Sequence, residues 1–167
     1  MKLVNLLESA FGHRGLPVEL TRGNRHDPDA VDAWAFAGLR WQDVTRAHWS
    51  KHSAAFYSFE PQAFAYFLPS ILALGADATQ PFMPRDSLIM VLDRSPTVEY
   101  WDAFILAHLV GLQMAEYDAL KQWLLILSES TDGVVEQSSI DRSFDTIDLL
   151  QVETQKVRSL VSRSLSS

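Results

Sequence analysis

The chain predicts an all-α fold: a single compact multi-helix domain of six to eight helices, with a kinked central helix at 60–75 and a long C-terminal helix. Three observations carry this. Apolar residues recur at three- and four-residue steps in one segment after another. Gly, Pro and Asp fall between those segments, where helices start and stop. The 167 residues are 47% hydrophobic, enough for one core, and no segment reads clearly as a strand.

Leu3, Leu6, Leu7, Ala10 and Phe11 give a first amphipathic helix at about 2–11, closed by Gly12. The N-terminal stretch is broken by Asn5, Glu8 and Ser9, so it reads as this helix rather than a signal peptide. Residues 12–26 are polar and turn-rich. Asp27 before Pro28 reads as a cap for a helix at 28–37, stopped by Gly38. A third helix is expected at 41–56, from Trp41, Val44, His48, His52, Ala55 and Phe56.

The segment "FEPQAFAYFLPSILALG", 59–75, holds four aromatics and two prolines. Phe64, Phe67, Leu68, Ile71 and Leu72 fall at i, i+3, i+4, i+7 and i+8, one buried stripe of a helix. Tyr66 lies off that stripe and is expected at its rim or against a neighbour. Pro69 removes one helical hydrogen bond and crowds the Ala65 carbonyl, at about 3 kcal/mol. Each buried apolar side chain returns about 1.5–3 kcal/mol, so a bent core helix should survive with a kink at 65–69.

Residues 76–85 read as a loop. "DSLIMVLD" is taken as helix, by the company it keeps. Helices follow at 97–110, closed by Gly111, and at 113–129, where Tyr117, Leu120, Trp123, Leu124 and Leu127 form the buried face and Asp118 pairs with Lys121. The domain reading is a helical unit at 1–129, a linker or loop at 130–138, and a C-terminal segment at 139–167 whose helix spans about 139–163. Ile140, Phe144, Ile147, Leu150, Val157 and Val161 share its apolar face.

The net charge of −7, with no basic run, argues against nucleic-acid binding. No window approaches the roughly 18 apolar residues of a membrane span. With no cysteine, disulfides and thiol chemistry are excluded, and a cytoplasmic location fits. No glycine-rich phosphate loop or serine-nucleophile elbow occurs, so no enzyme activity and no cofactor are expected.

Three constellations remain. His48 and His52 stand four apart, a spacing that can hold one metal, but Trp49 occupies the place of the zinc-protease glutamate and no third ligand is indicated. Asp27, Asp29 and Asp32 suit a helix start. Asp141, Asp145 and Asp148, at i, i+4 and i+7, form an acidic stripe beside the apolar face of the last helix, with Glu153 following; Lys156, Arg158 and Arg163 lie at its other end. This stripe is the candidate partner-binding surface.

The blocks "AFGHRGLP" at 10–17, "WAFAGLRWQDVT" at 34–45, "FEPQAFAYFLPSIL" at 59–72 and "YDALKQWLLILS" at 117–128 resemble a bacterial domain family of unknown function whose members share an aromatic block ending in "YYLP". The similarity covers roughly residues 8–128, and Phe67 stands where tyrosine is expected. The resemblance implies a small helical bacterial protein and supplies no catalytic residue. It also implies an immunity protein that neutralises a co-encoded toxin, so a cognate, basic toxin or effector domain is the expected partner. The alternatives are a metal-dependent enzyme using His48 and His52, and a structural homodimer built through the last helix.

Overall fold

The structure, a computed structural model, describes residues 3–130 and 135–165. Among them the chain forms nine α-helices, two short 3₁₀ turns and no strand. The helices are α1 (Leu3–Phe11), α2 (Val31–Trp34), α3 (Arg46–Lys51), α4 (Ala55–Ser58), α5 (Pro61–Gly75), α6 (Met83–Leu92), α7 (Ala103–His108), α8 (Met114–Ser128) and α9 (Gln137–Ser164).

The count exceeds six to eight because the helix expected at 41–56 is divided. A 3₁₀ turn at Trp41–Asp43 gives way to extended backbone at Val44 and Thr45. The Thr45 hydroxyl then caps α3 by accepting the His48 N–H at 3.1 Å. A threonine placed to cap competes with continuing the helix. A second break before Ala55 separates α3 from α4. The helix expected at 28–37 shrinks to α2. Asp27 accepts the Asp29 N–H at 3.1 Å in a local side-chain turn, and the helix starts later, behind Ala30. The helix expected at 97–110 becomes a 3₁₀ turn at Val98–Tyr100 and then α7, capped by Asp102, which accepts the Ile105 N–H at 3.1 Å. Gly38 and Gly111, at φ +75° and +96°, end their segments in a conformation that glycine reaches without strain.

Helix α5 runs unbroken through Pro69. Its burial exceeds the single stripe expected: every residue from Ala63 to Leu72 is buried, including Tyr66 at 6% exposure. A helix enclosed on all sides has no rim for Tyr66 to reach. Phe67 lies 5.1 Å from both Phe36 and Phe59, ring centre to ring centre, and Phe36 lies 4.6 Å from Trp49. Such edge and offset contacts add about 0.5–1.5 kcal/mol per pair beyond burial.

The buried Trp49 donates its Nε1–H to Ser70 Oγ at 3.0 Å, and Ser70 Oγ donates to the Phe67 carbonyl at 2.7 Å. Ser70→Ala therefore strands a buried indole N–H. The expected loss is about 1–3 kcal/mol, read from thermal or urea melts; an unchanged midpoint would refute this role for Ser70.

Helix α9 packs on α6 and α8 and contributes Ile140, Ile147 and Leu150 to the same core as α5. Beneath it the Thr154 hydroxyl accepts the Gly111 N–H at 2.8 Å and lies 2.7 Å from the Tyr117 hydroxyl, which donates to the Leu109 carbonyl at 2.5 Å. Burial ends there. Val157 and Val161, expected inside, are 48% and 53% exposed, and every residue from 155 to 165 is exposed. The helix simply outruns the domain that covers its apolar side. Lys121, expected to pair with Asp118, reaches Asp148 on α9 at 2.5 Å and Gln151 at 3.0 Å. Helix α9 begins at Gln137, two residues earlier than expected. Residues 131–134 of the expected 130–138 linker lie outside the described residues.

Candidate functional site

Helical geometry sets Asp141, Asp145 and Asp148 on one side of α9, because residues three and four apart stack. At 100° per residue that side adjoins Phe144 and turns outward from Ile140, Ile147 and Leu150, while Asp148 still reaches Lys121 of α8. All three aspartates are exposed. Asp141 accepts a hydrogen bond from Gln137 Nε2 at 2.8 Å. Asp148 holds Lys121 but keeps 66% of its side chain exposed. Asp145 makes no ion pair among the described residues. Glu153 turns nearer the domain and pairs with Lys156 at 2.6 Å, so it does not extend the stripe. The arrangement offers fixed negative charge to a basic surface.

The histidine pair does not build a metal centre. The His48 and His52 rings lie 5.2 Å apart, but His52 Nδ1 is 3.2 Å from Asp32 Oδ1, and the His48 ring stands edge-on to Phe36 at 4.5 Å. His108 is held elsewhere, stacked on Phe104 at 4.1 Å with Nε2 2.8 Å from the Phe59 carbonyl. Among the described residues no group of three or more His, Cys, Asp or Glu side chains could hold a metal ion. Asp32 explains the geometry: it accepts the Ala54 N–H at 3.2 Å and the His52 ring, tying α2 to the turn before α4.

Burial, reinforced by the neighbouring His52 charge, pushes the His48 pKa below its ordinary value of 6.5. The sign follows by linkage. Above about pH 6.5 both folded and unfolded chains hold His48 neutral. As the pH falls below that, the unfolded chain takes the proton first, so folding weakens. Melts at about pH 7.5 and about pH 5.5 should show a larger fall in Tm for the wild type than for His48→Gln. Equal falls would contradict this assignment.

The described concave surfaces touch the aromatic block only at Glu60, Pro61, Gln62 and Ala65. One, of about 610 Å³, is lined by His13 to Glu19 and Gln62. Phe64, Tyr66 and Phe67 line none of the described cavities.

Among the ion pairs that the sequence reading missed, two carry bidentate arginine contacts between distant segments. Arg14, in the loop after α1, makes a two-pronged bond to Glu116 at the start of α8; the Nη2 arm is 2.7 Å long. Glu116 is fully buried and also accepts the Gln113 N–H at 2.7 Å, completing a capping box. Arg142 of α9 grips Asp93 at the end of α6 with two bonds, one of 2.8 Å. The Arg142 guanidinium holds the Asp93 carboxyl below its usual range. The pattern Gln113-x-x-Glu116 ahead of an apolar run was the readable signal; the arginine partners left none.

No helix among the described residues is long and apolar enough to cross a membrane. Compared with known proteins, the chain matches no family model, no curated protein and no solved structure.

Proposed function

We propose that this protein is a non-catalytic protein-binding module of the immunity type, which neutralises a toxin or effector by direct contact. The observation that carries the reading is the enclosure of the aromatic block: Phe64, Tyr66 and Phe67 are core, so what distinguishes the molecule chemically lies on its exterior. On that exterior the carboxylates of Asp141, Asp145 and Asp148 stand on one rigid helix. Fixed charge on a rigid element steers and registers an oppositely charged partner.

The test is calorimetric titration of the purified chain with the product of the adjacent gene, repeated with a variant carrying all three aspartates as lysine. The reading expects saturable binding that weakens with salt and falls at least about tenfold in the variant. A neighbouring product that does not bind, or that binds the variant equally well, would overturn it.

A further inference from the structure

We propose that two copies of this chain pair antiparallel through the outer face of α9, about a two-fold axis at Val152. The proposal goes beyond the recognition reading and shares with it only the acidic residues. It starts from the protruding end of α9. This helix has 28 residues, about 42 Å of length, and its described residues past Thr154 carry no covering element.

Charge along the outer face is arranged by sign. Asp141, Asp145 and Asp148 precede Val152 on that side; Lys156 and Arg163 follow it. Asp148 and Lys156 each stand four residues from Val152, in opposite directions. Asp141 and Arg163 each stand eleven. A two-fold axis at Val152 therefore sets Asp148 of each copy opposite Lys156 of the other, and Asp141 opposite Arg163. Asp145 falls within a turn of the same lysine. A surface that complements itself in this way is what an isologous dimer requires. A parallel pair would set aspartate against aspartate and cation against cation.

The intramolecular partners leave room. Asp148 keeps most of its side chain exposed while holding Lys121, and Lys156 is 63% exposed while touching Glu153. Each can accept a second contact. Apolar contact is supplied by Val152, which meets its own copy on the axis, and by Leu160, 65% exposed, which falls on the flank that carries Leu149 of the second copy. Val152, Lys156, Leu160 and Arg163 line one side of an open groove of about 470 Å³, space beside the helix rather than beneath it. In the antiparallel pair this basic end meets a second set of carboxylates, on the acidic half of the other copy.

Light scattering and sedimentation of the full chain test the proposal, at up to about 100 µM and at low and high salt. The expected mass is twice that of one chain at low salt, returning to one as salt rises. Lys156→Glu and Asp148→Lys should each weaken pairing about tenfold or more, since each reversal acts at two symmetric contacts. The double variant Asp148→Lys with Lys156→Glu exchanges the signs and should restore it. These positions are exposed, so losing the pairs with Lys121 and Glu153 should cost each variant only about 0–1 kcal/mol, and all three should still melt cooperatively within a few degrees of the wild type. A monomer at every concentration, a dimer indifferent to both reversals, or a double variant no better than the singles would overturn the pairing. Failure of the recognition reading is separable: binding of a basic partner would fall with Asp148→Lys and would not return in the double variant.

Discussion

Replacing Glu116 with alanine lowers stability by about 3–5 kcal/mol. Three donors converge on this carboxylate: two from Arg14 and the backbone N–H of Gln113. The side chain is fully buried, whereas the Arg14 side chain keeps 20% exposure. Removing the acid leaves a guanidinium that water reaches only at its edge, and an orphaned N–H at the start of α8. A buried charge without its partner costs more than the intact pair ever contributed, because desolvation is no longer offset. For a chain of this size the loss is about 6–20 °C in Tm. The companion variant separates charge from architecture. Arg14→Met combined with Glu116→Gln removes both charges and keeps an acceptor for Gln113, so it should lose less than Glu116→Ala alone. A Glu116→Ala variant melting within about 2 °C of the wild type would show that the pair is idle.

The contrast between this pair and the helices shows what local sequence carries. Periodicity and punctuation are local, so α1, α8 and α9 were readable from their own residues, and so was α5 with its internal Pro69; α6 was assigned from its helical neighbours. The Glu116 cap is local too, but Arg14 lies 102 residues away, and no spacing rule connects them. The division of 41–56 turned on Thr45, where capping competes with helix continuation at similar energies. Val157 and Val161 illustrate a different limit. They continue the apolar face that Ile140 begins, yet burial depends on how far the rest of the domain reaches, which the segment itself does not encode. The acidic stripe was correctly grouped by its spacing. That Asp148 would reach Lys121 depended on how α9 seats on α8, which the segment itself does not encode. The histidine pair was a spacing without a third ligand, and the fold gave its free ring to Asp32.

Ending the chain at Ser130 abolishes cooperative folding of what remains. Helix α9 buries Ile140, Ile147 and Leu150 almost completely. At about 1.5–3 kcal/mol each, these three side chains contribute about 5–9 kcal/mol. Typical domains have only about 5–15 kcal/mol in total. The deletion also removes the Thr154 hydroxyl that receives the Gly111 N–H and meets Tyr117, and the Arg142 grip on Asp93. Exposed apolar surface on α6 and α8 would then favour a loosely packed, dye-binding state without a sharp melt. A second truncation isolates the cause. Among the described residues, ending the chain after Gln155 deletes only exposed ones, including Val157, Leu160 and Val161, and its melt should stay within about 2–4 °C of the full chain. The two cuts differ by 25 residues, which include α9 from Gln137 to Gln155, yet only the first reaches the core. A fragment ending at Ser130 that melts cooperatively near the full-length midpoint would mean that α9 rests on the domain rather than completing it. Addition of a peptide covering residues 135–165 should restore the sharp transition, because its apolar face finds the same groove between α6 and α8.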